Sequence, residues 1–273
     1  MKKIFSFLGV FLIVSLIILA CNRIESSENI TTETERSSNV VLRSAESSND
    51  MGEIHNTVLK EYYRLYSEDD TDDLILMNKR LNNISVSLYP TKFSIIPDEE
   101  IENFTNIAYG ATDANNFNYS QHSINSLEEA LSNGYISSDF HETMKPLIIS
   151  SPSFEYTLNV LENYKTDLKT KPESEIKNRE TDIINGMISI YKGSHDLWTN
   201  NDPTPYAPLQ RNLLGGCDPE DQIALADTWG GFMGGTVGLF GSPAGGIALG
   251  YLASWGFSKA VMVQIKKNGG RCM

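Results

Sequence analysis

Apolar residues recur every three or four positions along most of the chain between residues 51 and 199, which is the spacing of one face of an α-helix. The inward positions of the predicted helices are Ile54, Val58, Tyr62 and Leu65; Leu74, Met77, Leu81, Ile84 and Leu88; Ile101, Phe104 and Ala108; Phe154, Leu158, Leu161, Tyr164 and Leu168; and Ile176, Ile183, Met187, Ile190, Tyr191 and Trp198. Shorter helices are expected near 124–133, with Gly134 as a stop, and 138–149. No segment alternates as a strand would, so this region is predicted to be one all-α domain.

The pattern changes after residue 199. Residues 200–208 read NNDPTPYAP, and three prolines in nine residues predict a linker, because the residue before a proline is pushed away from helical geometry. The sequence then becomes apolar and glycine-rich, with ten glycines between Gly230 and Gly256. In a helix each glycine costs up to about 1 kcal/mol relative to alanine, so close packing has to offset roughly 10 kcal/mol.

The spacing of the small residues suggests how that cost is offset. Small side chains recur every fourth position, at Gly230, Gly234, Gly238, Ser242, Gly246, Gly250, Ser254 and Ser258. Such a repeat forms a flat ridge that lets a second backbone approach closely. Ser242-Pro243 interrupts the ridge, and proline breaks or kinks a helix. We therefore predict two helices, about 219–241 and 244–265, in an antiparallel hairpin.

Reversal at residues 242 and 243 brings three pairs of residues to similar levels. Trp229 lies level with Trp255, and Asp227 lies level with Lys259, which predicts an ion pair across the hairpin. Cys217 and Cys272 meet at the open end, where a disulfide would close a loop of just over fifty residues. In the chain-entropy model such a bridge is worth about 4 kcal/mol.

The remaining surface of the two hairpin helices is apolar on all sides, and such a helix is buried in protein or in lipid. The segment 223–263 resembles glycine-zipper segments and, loosely, the helices of two-peptide bacteriocins, and that resemblance implies membrane activity. Three alternatives stay open: the hairpin docks on the α-domain and fills its core, it enters a membrane, or it joins several copies. Asp227 disfavours spontaneous insertion, since a central Asp costs about 2.5 kcal/mol or more in a spanning helix.

The N-terminus reads as a secretory signal. Lys2 and Lys3 precede an almost uninterrupted apolar run from Ile4 to Leu19, and Ala20 and Cys21 follow it. A small residue before cysteine at this point resembles the lipobox of bacterial lipoproteins. The resemblance implies cleavage after Ala20 and a diacylglyceryl group on Cys21, usually with a third acyl chain; the alternative is an uncleaved anchor helix. Two or more acyl chains hold a protein stably on a membrane.

Export changes how the rest of the chain is interpreted. Residues 22–50 are rich in Ser, Thr, Glu and Asn without an apolar period, which predicts a disordered tether. Loss of two lysines with the signal takes the formal charge from −13 to −15, and this acidity argues against nucleic acid as a partner. The compartment permits disulfides, so Cys217 and Cys272 form an even pair. We expect a location at the outer membrane or cell surface rather than the inner membrane.

Candidate chemistry is sparse, and we predict neither a catalytic residue, a metal site nor a cofactor other than the lipid on Cys21. The motif GEIHN at 52–56 resembles the start of other exported bacterial proteins, but His55 is expected to be a satisfied helix histidine rather than a ligand. His141 lacks a second histidine at metal-ligand spacing, and His195 fits a cation near a helix C-terminus. No Gly-x-Ser-x-Gly, Walker or kinase motif occurs, so an enzyme is not expected.

The sequence thus predicts an all-α envelope lipoprotein with a C-terminal glycine-rich antiparallel helical hairpin. Its predicted parts are a signal peptide (1–20), a lipidated N-terminus and tether (21–50), an all-α domain (51–199), a proline-rich linker (200–216) and the hairpin (217–273). The expected function is structural or interaction-based, through a protein partner or self-association, with the membrane contacted by the lipid. The alternative is a membrane-active, bacteriocin- or toxin-like protein whose hairpin inserts into a bilayer.

Overall fold

A computed structural model describes residues 50–66, 71–110, 112–199, 219–241 and 246–267, and for 233–241 and 246–251 it describes the backbone alone. These residues are mainly helical, contain no β-strand, and include a short 3₁₀ turn at Ala114–Asn116. The helices are α1 Met51–Leu65, α2 Leu74–Leu88, α3 Asp98–Tyr109, α4 Tyr119–Ser132, α5 Ser138–Ser150, α6 Phe154–Leu168, α7 Glu175–Thr199, α8 Pro219–Gly241 and α9 Gly246–Lys267. The predicted all-α fold is confirmed.

Side chains before the first turns fix where several helices begin. Asp73, Asn118, Ser137 and Ser153 each accept a hydrogen bond from a backbone N–H in the first turn of the helix that follows. Such caps satisfy donors that have no partner within the helix. Ser153 therefore caps the start of α6 at Phe154.

The end of α4 confirms the predicted stop at Gly134. Gly134 has φ +70° and donates to the carbonyl of Leu131, while Tyr135 donates to the carbonyl of Ala130. These two bonds form a Schellman motif, which needs a left-handed residue that glycine supplies without steric cost.

The core contains side chains from all nine described helices, and α8 and α9 supply its largest members. Trp229, Trp255 and Phe257 are each 0 % exposed and belong to the same hydrophobic cluster as Leu59 and Leu81 of the preceding helices. The most extensive helix contacts join α8 to α9, then α8 to α7, then α1 to α7. The described part of the C-terminal region therefore packs into the α-domain.

Some predicted inward positions are wrong at helix ends. Leu65 and Leu88, the last residues of α1 and α2, are 49 % and 40 % exposed, and Ile176, near the start of α7, is 37 % exposed. Periodicity continues to the last residue of a helix, but the helix ends project beyond the core. In the middle of α7, Ile184 is fully buried beside the predicted Ile183, which is partly buried.

Several predictions concern residues outside the described ranges. They are the signal peptide, Cys21, the tether to residue 49, the linker, the turn of the hairpin, Cys217 and Cys272. Among the described residues, no helix combines the length and apolar character required to span a bilayer.

Candidate functional site

A fully buried carboxylate with polar neighbours distinguishes one part of the core from ordinary apolar packing. Asp227 of α8 is 0 % exposed and is surrounded by polar side chains from three other helices. We call His55 of α1, Ser194 and Trp198 of α7, Asp227 and Ser254 of α9 the Asp227 cluster. Burial of an ion is costly unless it is paired and hydrogen-bonded, so this cluster requires a physical explanation.

Both carboxylate oxygens of Asp227 have polar neighbours. Ser194 Oγ donates to Oδ2 at 2.5 Å, and Trp198 Nε1 donates to the same oxygen at 3.2 Å. Trp198 Nε1 also lies 2.9 Å from Ser194 Oγ. On the other side, His55 Nε2 and Ser254 Oγ lie 3.4 Å and 3.5 Å from Oδ1. Charge-assisted hydrogen bonds of this kind offset the loss of hydration.

The orientation of His55 follows from its neighbour in the chain. Asn56 Nδ2 donates to the carbonyl oxygen of Gly193 at 2.7 Å, so Asn56 Oδ1 faces His55 Nδ1 at 3.0 Å. The Asn56 oxygen can only accept, which places a hydrogen on Nδ1. Nε2 then faces Asp227 Oδ1. The His55 ring also stacks on Trp255, with centroids 5.7 Å apart and planes at 28°.

Two glycines position His55 by letting α1 cross α7 closely. A methyl group at Gly193 would lie 2.8 Å from the Cα of Gly52, a distance that real side chains do not reach. The Gly52 N–H donates to Ser189 Oγ at 2.9 Å across the same crossing. The GEIHN motif is thereby explained, because Gly52, His55 and Asn56 each make a contact that joins α1 to the C-terminal half of the chain.

Of the small residues in the predicted ridge, the structure describes the side-chain surroundings of Gly230, Ser254 and Ser258. A methyl group at Gly230 would lie 2.5 Å from the carbonyl oxygen of Ala253 and 2.6 Å from the Cα of Ser254. The absence of a side chain at Gly230 therefore lets α8 and α9 touch at this point, and Ser254 is fully buried at the contact. The surroundings of Gly234, Gly238, Gly246 and Gly250 lie outside the described side chains, so the complete glycine-rich hairpin stays a prediction.

Asp227 and Lys259 do not form the predicted ion pair with each other, although both lie in described helices. Asp227 faces His55, whereas Lys259 Nζ lies 3.4 Å from Asp72 Oδ1. Asp72 Oδ2 also accepts from Asn115 Nδ2 at 2.9 Å. The prediction considered only the level of the two residues along the hairpin. It could not determine the direction in which each side chain leaves its helix.

A second acidic residue of α8 contacts the α-domain. Asp221 Oδ2 accepts from the Phe154 N–H at 3.1 Å, and Asp221 Oδ1 lies 3.3 Å from His195 Nε2. The ring of His195 stacks on Phe154, with centroids 3.7 Å apart. His195 thus pairs with a carboxylate across helices instead of acting only at the end of α7. The other histidine considered above, His141, lies 3.1 Å from the exposed Glu128.

The Asp227 cluster contains the side-chain types of a Ser-His-Asp relay but not its order. In a relay the histidine lies between serine and aspartate and removes the serine proton. Here Asp227 lies between Ser194 and His55, and Ser194 donates its own proton to the carboxylate. Ser194, His55 and Asp227 are all 0 % exposed. This cluster is therefore built to hold helices together.

Two further buried polar groups had no signal in the sequence pattern. Tyr109 of α3 donates to the carbonyl of Leu252 at 2.7 Å, accepts from Asn78 at 3.3 Å, and occupies the space that Gly256 leaves. Burial raises the pKa of the Tyr109 hydroxyl well above its usual value. The partners of Tyr109 are distant from it in sequence. The one local indication is Gly256, a glycine in an apolar helix whose missing side chain leaves space for a large neighbour.

Glu180 is the second such group, at 1 % exposure. It accepts from the Ser137 N–H at 2.6 Å and from the Tyr164 hydroxyl at 2.8 Å, so it links α5, α6 and α7. No group of three His, Cys, Asp or Glu side chains among the described residues is arranged to hold a metal ion.

Comparisons with known proteins return no match to a family model, to a curated protein or to a solved structure.

Proposed function

We propose that this chain is a lipid-anchored protein of the bacterial envelope that acts through protein interaction or self-association, with its C-terminal helices as the core of the interacting domain. The observation that carries the proposal is the burial of the C-terminal tryptophans, since Trp229 and Trp255 are both 0 % exposed within the α-domain. Burial of a large aromatic side chain stabilises a fold by about 2–3 kcal/mol relative to its exposed state. The first of the three alternatives, docking on the α-domain, is therefore favoured.

The charges on α8 and α9 support the same conclusion. Asp227 and Asp221 of α8 face His55 of α1 and His195 of α7, and Lys259 of α9 faces Asp72. Withdrawal of the two helices would separate all three pairs. Separation of Asp227 from His55 would cost the most free energy, because both side chains are buried and a charged group without its partner in the core is strongly destabilising.

The membrane-active alternative requires these contacts to break. Insertion of α8 would have to break the Asp227 cluster and place Asp227 in hydrocarbon, at a cost of about 2.5–3.5 kcal/mol near the bilayer centre. Dye release from liposomes by the chain starting at Asn22 separates the two proposals. We expect no release at neutral pH, whereas release that a chain ending at Gly216 lacks would support insertion.

Truncation tests the structural role directly. A chain covering residues 22–216 lacks α8 and α9, and we expect it to lose cooperative thermal unfolding, because its remaining helices would expose the apolar faces that now contact Trp229 and Trp255. The matched control is the chain 50–273, which lacks only the predicted tether and should unfold at the same midpoint as 22–273. A cooperative transition of 22–216 near that midpoint would contradict the proposal.

Anchoring is tested separately. The full chain expressed in a bacterial host should incorporate a clickable palmitate analogue and fractionate with membranes, and Cys21→Ser should abolish both properties. Cys217→Ser serves as the control for loss of a cysteine elsewhere and should keep the label. Label retained by the Cys21→Ser chain would refute the lipobox.

A further inference from the structure

Three asparagines of the chain directly precede a glycine, at Asn133-Gly134, Asn185-Gly186 and Asn268-Gly269. In such a pair the backbone nitrogen of the glycine can attack the side-chain amide carbon of the asparagine, because glycine has no side chain to obstruct the approach. The reaction requires a backbone that can rotate and a site that water can reach. The first two pairs lie in the described part of the chain and differ in both respects.

Asn133-Gly134 lies at the exposed end of α4. Asn133 directly follows the last residue of the helix, and Gly134 has φ +70°. Both residues are exposed, and a methyl group at Gly134 would meet no atom of the described residues within 4 Å. The described structure therefore leaves room for a change of backbone conformation at this pair.

In the closed turn the attacking nitrogen is engaged. The Gly134 N–H donates to the Leu131 carbonyl at 3.0 Å, so this bond has to open and the backbone has to rotate before the nitrogen can attack. The bond from Tyr135 to the Ala130 carbonyl lies beside it, at the same end of α4. Hydrogen bonds at a helix end open locally while the core stays folded. Reaction at Asn133 therefore needs only the last turn of α4 to open.

Asn185-Gly186 provides a matched comparison within the same chain. This pair lies inside α7, which packs against both α1 and α8. Gly186 is buried, and a methyl group there would lie 3.0 Å from Met51 Sδ. Backbone rotation at Asn185 therefore requires disruption of the core. The two identical dipeptides differ in how much of the fold has to open.

We propose that Asn133 is a site of spontaneous deamidation in the folded protein, whereas Asn185 is protected. The Gly134 nitrogen forms a bond to Asn133 Cγ, its proton passes to the departing amide group, and ammonia leaves. Water then opens the resulting five-membered imide. Addition of water at Cγ gives aspartate, and addition at the backbone carbonyl gives isoaspartate, whose backbone is one methylene longer. The proposal does not depend on the function proposed above.

Either product weakens the turn between α4 and α5. A carboxylate at position 133 adds negative charge at the C-terminus of α4, four residues after the exposed Glu129, and both interactions are unfavourable. The extra methylene of isoaspartate also displaces the bonds that end α4. The same turn leads to Ser137, whose N–H donates to the buried Glu180 at 2.6 Å. Deamidation therefore acts on the connection between α4, α5 and α7.

Peptide mapping by mass spectrometry tests the proposal on the full mature chain, incubated in mildly alkaline detergent buffer. Asn133 should convert at least about tenfold faster than Asn185, because local opening of a helix end costs less free energy than opening of the core. The control is the same chain unfolded in urea, in which the two asparagines should convert at similar rates. Asn268 lies outside the described residues and is mapped as a separate peptide.

Two variants complete the test. Asn133→Gln removes the route through a five-membered imide and should leave the peptide unmodified. Asn133→Asp reproduces the added charge and should lower the thermal midpoint by about 1–4 °C. Equal rates at Asn133 and Asn185 in the folded chain, or conversion of Asn133 only after unfolding in urea, would overturn the proposal. A midpoint that Asn133→Asp does not change would overturn the effect on the turn.

Discussion

Replacement of Asp227 by alanine tests the role of the buried carboxylate. The substitution removes the acceptor for Ser194 and Trp198 and leaves His55 without its charged neighbour. Because Asp227 and His55 are both 0 % exposed, water cannot replace the lost partner without opening the core. The effect should therefore be much larger than that of a surface ion pair.

Measured cases give the expected magnitude. Removal of one partner from a buried pair destabilises by about 3–5 kcal/mol, against a total stability of about 5–15 kcal/mol for a domain. For a domain of this size, 1 kcal/mol shifts the thermal midpoint by about 2–4 °C, so Asp227→Ala should lower it by roughly 6–20 °C. Asp227→Asn retains an acceptor for Ser194 but loses the charge. Its thermal midpoint should therefore lie between those of the unsubstituted protein and Asp227→Ala.

The assay is thermal and urea unfolding of the chain 22–273, followed by circular dichroism. Asp72→Ala is the matched control, since it removes the carboxylate partner of Lys259 at a side chain that is 45 % exposed and should cost about 1 kcal/mol or less. The double variant with His55→Ala should show a coupling energy of about 1 kcal/mol or more. A loss for Asp227→Ala no greater than that for Asp72→Ala, or strict additivity with His55→Ala, would refute the reasoning.

Four further predictions concern other contacts. Gly230→Ala should destabilise by about 1–3 kcal/mol in urea, because its methyl group would meet the backbone of α9; a stabilised protein would show that the helices do not touch there. Tyr109→Phe should cost about 1–3 kcal/mol in the same assay, since it removes two buried hydrogen bonds, one to the Leu252 carbonyl and one from the Asn78 amide, which keeps its bond to Thr105; a neutral effect would contradict this. Burial lowers the pKa of His122 below its usual 6.5, so its contribution to stability should fall as the pH drops below about 6.5, and His122→Phe should flatten that slope between about pH 7 and 5. Non-reducing peptide mapping should recover Cys217 linked to Cys272, and Cys217→Ser should then lower stability by up to about 4 kcal/mol; two free thiols in the exported protein would contradict the bridge.

Local patterns predicted the helices well because the apolar stripe and the helix-ending residues lie within each helix. The predicted bounds 219–241 coincide with α8 at Pro219–Gly241, and Gly134 ends α4 as expected. The predicted second helix, 244–265, agrees with α9 at Gly246–Lys267 within two residues. Errors of this size are usual where helices fray.

The partners of Asp227 could not be predicted in the same way. Its helix is apolar on nearly all sides, so no stripe indicates which face meets α1 and which meets α9. His55 and Asp227 are 172 positions apart, and their contact depends on Gly52 and Gly193 letting two distant helices cross. Each of the two crossing helices nevertheless contains a local signal. In α1 an isolated Gly52 lies three residues before His55, and in α7 an isolated Gly193 directly precedes Ser194.

Native-state hydrogen–deuterium exchange of the full mature chain tests the central claim most directly, namely that α8 and α9 form the core of the α-domain. Peptides covering 223–232 and 252–263 should exchange only through global unfolding, with the same protection as peptides from α1 and α7. Faster exchange of these C-terminal peptides while α1 and α7 stay protected would show that α8 and α9 leave the domain independently, which would contradict the account.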